Sequence, residues 1–306
     1  MESVALMLSS SVNAGTILAL AALGLLINER AGVINLGAEG MMLLGALGAY
    51  ATAAHGHGVT VSLLAGAMAA ALAAAVFGGF VIGLGTNQYA TGLALSLFGG
   101  GFTAFAGAGY TDKQLAELAR PGIPWLRDLP FVGPALFGYH PLVYFTMALA
   151  VGLGWFFFRS RAGLVVRAAG ESPESAHALG HPVRWVRFQA VIVGGALCGL
   201  AGAYISVVYA HLWVEGLVAG KGWIALALTT FATWRPARVL LGAYLFGGVT
   251  MLQFLLQGRG VEIESHLLGM SPYVATVLVL VLISRNQAWI RINMPAALGK
   301  PFHPGH

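Results

Sequence analysis

The sequence has few charged residues and a single cysteine. Only 9% of its 306 residues are charged, whereas 58% are hydrophobic, and an ordinary soluble domain carries roughly 25% charged residues. This shortage of charge excludes a soluble globular protein. The lone thiol, Cys198, excludes an intramolecular disulfide and lies in an apolar run, so we expect it to pack in the interior.

Several signatures of enzymes and of exported proteins are absent as well. Residues 216–222 read GLVAGKG, one residue short of a P-loop and without Ser or Thr after Lys221. There is no HExxH or GxSxG motif, and His55, His57, His303 and His306 lack companion ligands at metal-site spacing. We expect no enzyme activity and no cofactor bound by this chain. The first apolar run follows MESV, which lacks the basic region of a signal peptide, so this run is expected to remain as a span.

What the sequence does contain is a series of apolar runs of about 20 residues, the length that crosses a hydrocarbon core of about 30 Å. Nine candidate spans are residues 4–27, 33–54, 59–84, 87–109, 141–158, 185–210, 222–234, 239–256 and 271–284. These runs are apolar on every side, unlike the alternating strands of an outer-membrane barrel. The prediction is an all-α polytopic inner-membrane bundle of about 8–10 spans, formed by residues 1–306 as one domain.

Two of these spans are short for a full crossing. Residues 222–234 and 271–284 are either half-helices near a substrate path, as in many transporters, or ordinary spans with misplaced ends. The 43 glycines suit close helix packing, and small-residue pairs at Gly79 and Gly83 and at Gly195 and Gly199 have the spacing for it.

Basic residues predict the orientation. Placing residues 159–184 and the tail 285–306 in the cytoplasm puts 11 basic residues inside and 5 outside, which together are all 16. The positive-inside rule then places the N-terminus outside and the C-terminus inside. The net charge of +5 is spread over these loops, so we expect a membrane rather than a nucleic acid as its partner. The long outside loop, residues 110–140, is expected to be a short surface helix followed by a proline-rich flap, either a cap or a docking surface.

The cytoplasmic segment 159–184 contains a short helix with signals at both ends. Ser172 suits the N-cap, Pro173 the first helical position and Glu174 the positive end of the helix dipole. Gly180 can close the helix in a left-handed conformation, and Pro182 prevents its continuation. The pattern predicts a helix over residues 173–179, serving either as a surface connector or as a rigid element on which a soluble partner pushes.

Asn35 and Glu39 stand four residues apart in the glycine-rich second span, a spacing that predicts one helical face. Glu39 is the only carboxylate within the predicted spans, and burying it in lipid costs roughly 2.5 to 3.5 kcal/mol on insertion scales. It is expected to face protein or water, as a group on the substrate path, a proton carrier, or an acceptor for the free amides of a broken helix.

The fourth span begins with two amides and continues with aromatic residues. Asn87 and Gln88, together with Phe98 and Phe102, form a combination that suits a sugar or nucleobase and equally suits helix packing. With Asn35 and Glu39, these four residues are the predicted lining of a substrate path.

Four stretches resemble one known family: residues 28–50, NERAGVINLGAEGMMLLGALGAY; residues 87–105; residues 167–206, beginning RAAGESPESAHALGHP; and residues 219–236, AGKGWIALALTTFATWRP. Together they are similar to the membrane subunits of ATP-binding-cassette (ABC) importers in the branched-chain amino acid, simple sugar and nucleoside permease superfamily. The likeness is greatest to the branch served by basic-membrane-protein lipoproteins, which commonly carries nucleosides.

The resemblance implies a permease subunit in the bacterial cytoplasmic membrane. Its implied partners are a cassette ATPase that binds ATP and Mg²⁺, a second related permease, and an external binding protein or lipoprotein. The helix over residues 173–179 then resembles the coupling helix that docks on the ATPase. The residues expected to couple to the ATPase are Gly170, Glu171, Pro173, Glu174, Ala178 and Gly180.

The predicted function is therefore that of half of an ATP-driven import pathway for a small polar solute, with a nucleoside as first choice and a simple sugar or branched-chain amino acid as alternatives. A stand-alone proton-coupled transporter using Glu39 and a purely structural scaffold are rivals from other classes.

Overall fold

The described part of the chain folds almost entirely into helices. A computed structural model describes residues 2–111, 114–115, 138–258, 270, 274, 278 and 293–303. The α-helices of this described part are α1 (Glu2–Arg30), α2 (Ala38–Ala54), α3 (Val59–Gly78), α4 (Gln88–Gly107), α5 (Pro141–Arg159), α6 (Arg161–Glu171), α7 (Pro173–Ala178), α8 (Val183–Ala203), α9 (Lys221–Phe231) and α10 (Pro236–Gly258). Helices α3 and α8 continue as π-helical turns over Gly79–Gly83 and Tyr204–Tyr209.

Among the described residues, six helices are long and apolar enough to cross a membrane: α1, α3, α4, α5, α8 and α10. This confirms the predicted polytopic helical bundle. Helices α2 and α9 are shorter, at 17 and 11 residues. The predicted span 271–284 lies outside the described residues apart from Val274 and Leu278, and so does most of the predicted loop helix and flap between residues 110 and 140.

Helices α1 and α8 form the centre of the bundle. Every residue from Gly15 to Val33 is buried, because α1 packs on α8, α9 and α10. A helix that is apolar all round, as α1 is over residues 17–27, is stable only when it is surrounded. Helices α3, α4, α5 and α10 lie outside this centre and expose large apolar side chains such as Leu72, Leu97, Val151 and Leu245, as helices facing lipid or a second membrane subunit do.

Glycine contacts set how closely α8 approaches its neighbours. A side chain at Gly199 would lie 2.5 Å from the Ala70 Cβ, and one at Gly195 would overlap Ala74. These contacts confirm the close approach predicted for this pair of small residues. The pair at Gly79 and Gly83 lies in the π-helical turn after α3 and is exposed, and an added Cβ at either position would meet open space.

Candidate functional site

Helix α9 is a half-helix. Its 11 residues span about 16 Å at 1.5 Å per residue, roughly half of a 30 Å hydrocarbon core. The residues that follow its C-terminal end contact Arg30 at the end of α1, and its N-terminal end contacts Glu39 at the start of α2. Of the two readings of the short predicted span 222–234, the structure therefore shows the half-helix.

Glu39 of α2 receives the N-terminus of this half-helix. The Gly220 N–H donates to Glu39 Oε1 at 2.8 Å, and the Gly222 N–H donates to Oε2 at 2.7 Å. The first amides of a helix have no partner within it and form the positive end of its dipole. Both carboxylate oxygens thus bind a helix end, which is the acceptor role named among the alternatives for this residue.

Only glycine fits at one of these two donors. A Cβ at Gly222 would lie 2.6 Å from the Glu39 backbone nitrogen and 2.7 Å from its Cα. The close approach of the two backbones brings the amides within reach of the carboxylate.

Asn35 does not share a helical face with Glu39, so that prediction is wrong. Helix α2 begins only at Ala38, and residues 31–37 are irregular. Asn35 is fully buried there and its Oδ1 accepts the Gly37 N–H at 3.0 Å. An asparagine bonded to the backbone two residues on replaces helical hydrogen bonding with a local turn, and the turn starts the helix later than hydropathy suggests.

The two amides at the start of α4 also bond to backbone. Asn87 caps the helix by accepting the N–H groups of Tyr89 and Ala90 at 2.9 and 3.1 Å. Gln88 is buried, and its Oε1 accepts the Ile34 N–H at 2.8 Å. The side chains of Asn35 and Gln88 thus both accept hydrogen bonds from backbone N–H groups of the irregular segment 31–37, those of Gly37 and Ile34.

The predicted aromatic residues lie apart from this segment. Phe98 and Phe102 stack on one another on the outer side of α4, with ring centroids 5.7 Å apart, and both are exposed. In the chain as described they are available to lipid, to a second subunit or to a solute between subunits.

The C-terminal end of α9 is held by two residues that the sequence analysis missed. Arg30 donates from Nε and Nη2 to the Trp234 carbonyl at 3.1 and 2.7 Å, and Glu29 accepts a hydrogen bond from the Trp234 indole N–H. Glu29 is buried inside α1, so Glu39 is not the only carboxylate in a span. The adjacent charges of Glu29 and Arg30 at the end of an apolar run could have indicated a buried polar contact. They were missed because the predicted span ended at residue 27.

The segment predicted to couple to an ATPase, residues 159–184, contains two short helices, α6 and α7; it is called the coupling segment below. The predicted short helix is confirmed as Pro173–Ala178, with Ser172 Oγ accepting the Ser175 N–H at 3.4 Å. Helix α6 was not predicted, although Ser160 caps it by accepting the Gly163 N–H at 3.0 Å. Of the predicted coupling residues, Gly170 and Pro173 are buried, whereas Glu171, Glu174, Ala178 and Gly180 are exposed.

Gly180 closes α7 in the predicted left-handed conformation. Its φ is +86°, and the N–H groups of Gly180 and His181 donate to the carbonyls of His177 and Ala176 at 2.8 and 3.1 Å. This is the pair of bonds that ends a helix at a left-handed glycine.

Replacing Gly180 with alanine is expected to destabilise the end of α7. A non-glycine residue in this conformation costs about 1 kcal/mol, and a helix of six residues has little stability of its own. Backbone amide hydrogen exchange at residues 176–181 should speed up by about fivefold, the factor for 1 kcal/mol. Gly101→Ala, at a helical position with open space around it, is the control and should leave exchange in α7 unchanged. Equal exchange in the Gly180 variant would contradict the role of this cap.

Comparison with known proteins agrees with this architecture. Residues 7–284 match the family described as branched-chain amino acid transport system / permease component. The chain is 38% identical to TsgC13 of Haloferax volcanii, whose proposed role is that of a glucose ABC transporter permease, over 95% of each chain. It is 30% identical to the guanosine ABC transporter permease NupQ of Bacillus subtilis, over 94% of this chain and 93% of that one.

A third relative is the nucleoside ABC transporter permease NupC of Lactococcus lactis, which is 35% identical over 52% of this chain. No solved structure matches the chain significantly. The matches to both the family and full-length relatives show that this chain belongs to the branched-chain amino acid transport system permease component family of ABC transporters.

Proposed function

We propose that the chain forms half of an import pathway for a neutral solute that carries a sugar ring, either a nucleoside or a free monosaccharide. TsgC13 and NupQ, by name, concern glucose and guanosine, and a sugar ring is what these two solutes share. Glu39 supports a neutral solute, because its carboxylate already occupies the positive end of the half-helix. That end is the feature that receives anionic groups in other transporters.

The proposed path runs past the residues predicted from the sequence: Asn35, Glu39, Asn87, Gln88, Phe98 and Phe102. Segment 31–37 gives this path an irregular backbone, and the first residues of α4 and the N-terminus of the half-helix bond to this segment and to Glu39 beside it. Irregular backbone at membrane depth is tolerated where it is buried in protein or lines a cavity. The second half of the path comes from a related permease, and an external binding protein or lipoprotein delivers the solute.

The observation that carries the energy-coupling part of the proposal is the surface of α7. Pro173 and Ala176 are buried beneath the helix, while Glu174 and Ala178 are exposed. Next to it, Leu179 is 79% exposed and Trp185 is 56% exposed. A capped helix flanked by exposed apolar side chains suits a protein partner. We propose that this partner is a cassette ATPase that binds ATP and Mg²⁺ on the cytoplasmic side. In this orientation the N-terminus of the chain lies outside.

The proposal is tested by purifying the tagged chain from its host in gentle detergent and identifying what accompanies it. A stoichiometric cassette ATPase and a second permease are expected. After reconstitution with the binding protein, uptake of labelled guanosine and of labelled glucose is measured with and without ATP. ATP-dependent uptake of either supports the proposal and names the solute. Uptake by this chain alone, driven by a proton gradient and indifferent to ATP, would establish the proton-coupled rival.

Bulky residues on the exposed face of α7 are expected to uncouple transport. Glu174→Trp and Ala178→Trp should lower ATP-driven uptake by about tenfold, the effect of losing roughly 1.4 kcal/mol of docking free energy. Both side chains are exposed, so insertion and folding should persist. Ala237→Trp, at an exposed position of α10, is the matched control. Unchanged uptake in both α7 variants would remove α7 from the coupling interface.

A further inference from the structure

The coupling segment and the half-helix do not share the same neighbours. Helix α7 packs mainly on α6 and α8, whereas α9 packs on α1, α2 and α10. A push on α7 therefore needs an intermediary to reach α9. Helix α1 packs on α6 and α8 as well as on α9. The described part of the C-terminal tail, residues 293–303, bonds to α6 and to two buried arginines, Arg30 of α1 and Arg187 of α8.

The tail binds the coupling segment at three points. The Ala297 N–H donates to the Gly170 carbonyl at 2.9 Å, and the Ala296 N–H donates to Glu171 Oε2 at 3.2 Å. The Phe302 ring meets the edge of the His177 ring of α7, with centroids 5.6 Å apart. The tail thus contacts both α6 and α7.

Arg187 of α8 fixes the tail to the same segment. Its guanidinium is buried and donates to the Lys300 carbonyl in the tail and to the Ala169 carbonyl in α6, both at 3.0 Å. The Gly299 N–H in turn donates to the Gly32 carbonyl at 3.1 Å, which connects the tail to the loop after α1. Movement of α6 and α7 would therefore displace the loop at the cytoplasmic end of α1.

Arg30 extends these contacts to the half-helix. The Arg30 guanidinium contacts the tail, because its Nη1 donates to the Asn293 carbonyl at 3.3 Å. The same group contacts the turn after α9 through its two hydrogen bonds to the Trp234 carbonyl. The backbone carbonyl of Arg30 packs so closely on Gly170 that a Cβ there would overlap it. The Arg30 side chain thus touches the tail and the turn after α9, and its backbone carbonyl touches the coupling segment.

The turn that Arg30 holds is strained. Thr233 and Trp234 have φ values of +49° and +53°, a conformation that non-glycine residues rarely adopt. Such residues keep this geometry only when surrounding contacts impose it. Here the contacts are Arg30, Glu29 and the Arg238 Nη1 bond to Thr233 Oγ1 at 2.5 Å. A turn fixed in this way moves with Arg30.

We infer that Arg30 is the positioning residue through which movement of the coupling segment reaches the half-helix α9, with the C-terminal tail as the connecting element. This inference rests on the proposed function, since it concerns how ATP-driven movement arrives at the solute path. It identifies the tail as part of the transport machinery and α9 as the element that moves.

The test uses the whole reconstituted importer and measures solute uptake per ATP hydrolysed, with the solute that the wild-type complex transports. Arg30→Lys keeps the charge and the stem of the side chain, but one ammonium group cannot reproduce the fork that joins Asn293 to Trp234. Uptake per ATP is expected to fall about tenfold, within the usual range of coupling between sites, while ATP hydrolysis persists. Arg161→Lys, at an exposed arginine of α6, is the control.

A purely structural role for Arg30 would lower the Tm and the yield of complex and leave uptake per ATP unchanged, and that result would overturn the inference. If Arg30→Lys does not assemble, Phe302→Ala decides, because it removes the partly buried ring by which the tail packs on His177 and on the buried cluster around Ala169 and Ala176 of the coupling segment. A several-fold loss of uptake per ATP in that variant supports the connection, and a wild-type ratio overturns it. A wild-type importer without ATP-dependent uptake would instead refute the proposed function.

Discussion

Replacing Glu39 with alanine is expected to destabilise the permease by about 3 kcal/mol or more, because two hydrogen bonds to a charged acceptor are lost and their donors stay inside the protein. The N–H groups of Gly220 and Gly222 have the two carboxylate oxygens as their partners. With the side chain gone, the N–H of buried Gly222 and that of partly buried Gly220 lose their acceptor. Thermal unfolding of the detergent-solubilised protein should show a clearly lowered Tm.

Glu39→Gln is expected to fall between the wild type and Glu39→Ala. The glutamine Oε1 can still accept one N–H, but its NH₂ group faces the second donor and cannot accept from it. Glu215→Ala, at an exposed glutamate in the loop before α9, is the control and should leave the Tm unchanged. A proton carrier at position 39 predicts the opposite pattern, in which Glu39→Gln folds like the wild type and loses uptake.

Hydropathy and local capping signals predicted the parts of the fold that depend on neighbouring residues. Every helix assigned as a membrane crossing corresponds to a predicted apolar run, because a lipid environment demands one. Helix α7 followed from Ser172, Pro173 and Gly180, whose effects act within one or two turns. The start of α2 was wrong because the turn made by Asn35 interrupts an apolar run without changing its hydropathy.

The contacts that build the candidate site were beyond such reasoning. The sequence alone offers an acceptor role for Glu39 as one alternative. It does not identify the donors, Gly220 and Gly222, because they lie more than 180 residues away. Arg30 and Trp234 are 204 residues apart, and the left-handed turn at Trp234 has no local signal such as a glycine. These contacts arise from packing α9 between α1 and α2, so only the assembled bundle reveals them.

The assembled bundle also identifies a described position that cannot accept a larger residue unless the backbone moves. Gly202 of α8 packs against the backbone of α2, where an added Cβ would overlap the Met42 carbonyl oxygen and lie 2.7 Å from its carbon and 3.1 Å from the Ala46 nitrogen. These atoms are backbone, so no rotamer change can make room. The two helices would have to separate along a line that includes the contact between Gly45 and Gly199, where a Cβ at Gly45 would lie 2.5 Å from the Gly199 Cα.

Gly202→Ala is therefore expected to destabilise the protein by about 3 kcal/mol, the upper part of the range for overpacking, although alanine is the better helix former. Gly101→Ala makes the same substitution within α4, where the added methyl group meets open space. That control should be neutral or stabilise by about 0.5 to 1 kcal/mol, the helix preference for alanine over glycine. Thermal unfolding of both variants in the same detergent separates the cost of the steric overlap at Gly202 from the gain in helix preference that alanine brings at both positions. A Gly202→Ala protein that unfolds at the Tm of Gly101→Ala would show that α2 and α8 separate easily, and would contradict the close contact on which the position of Glu39 depends.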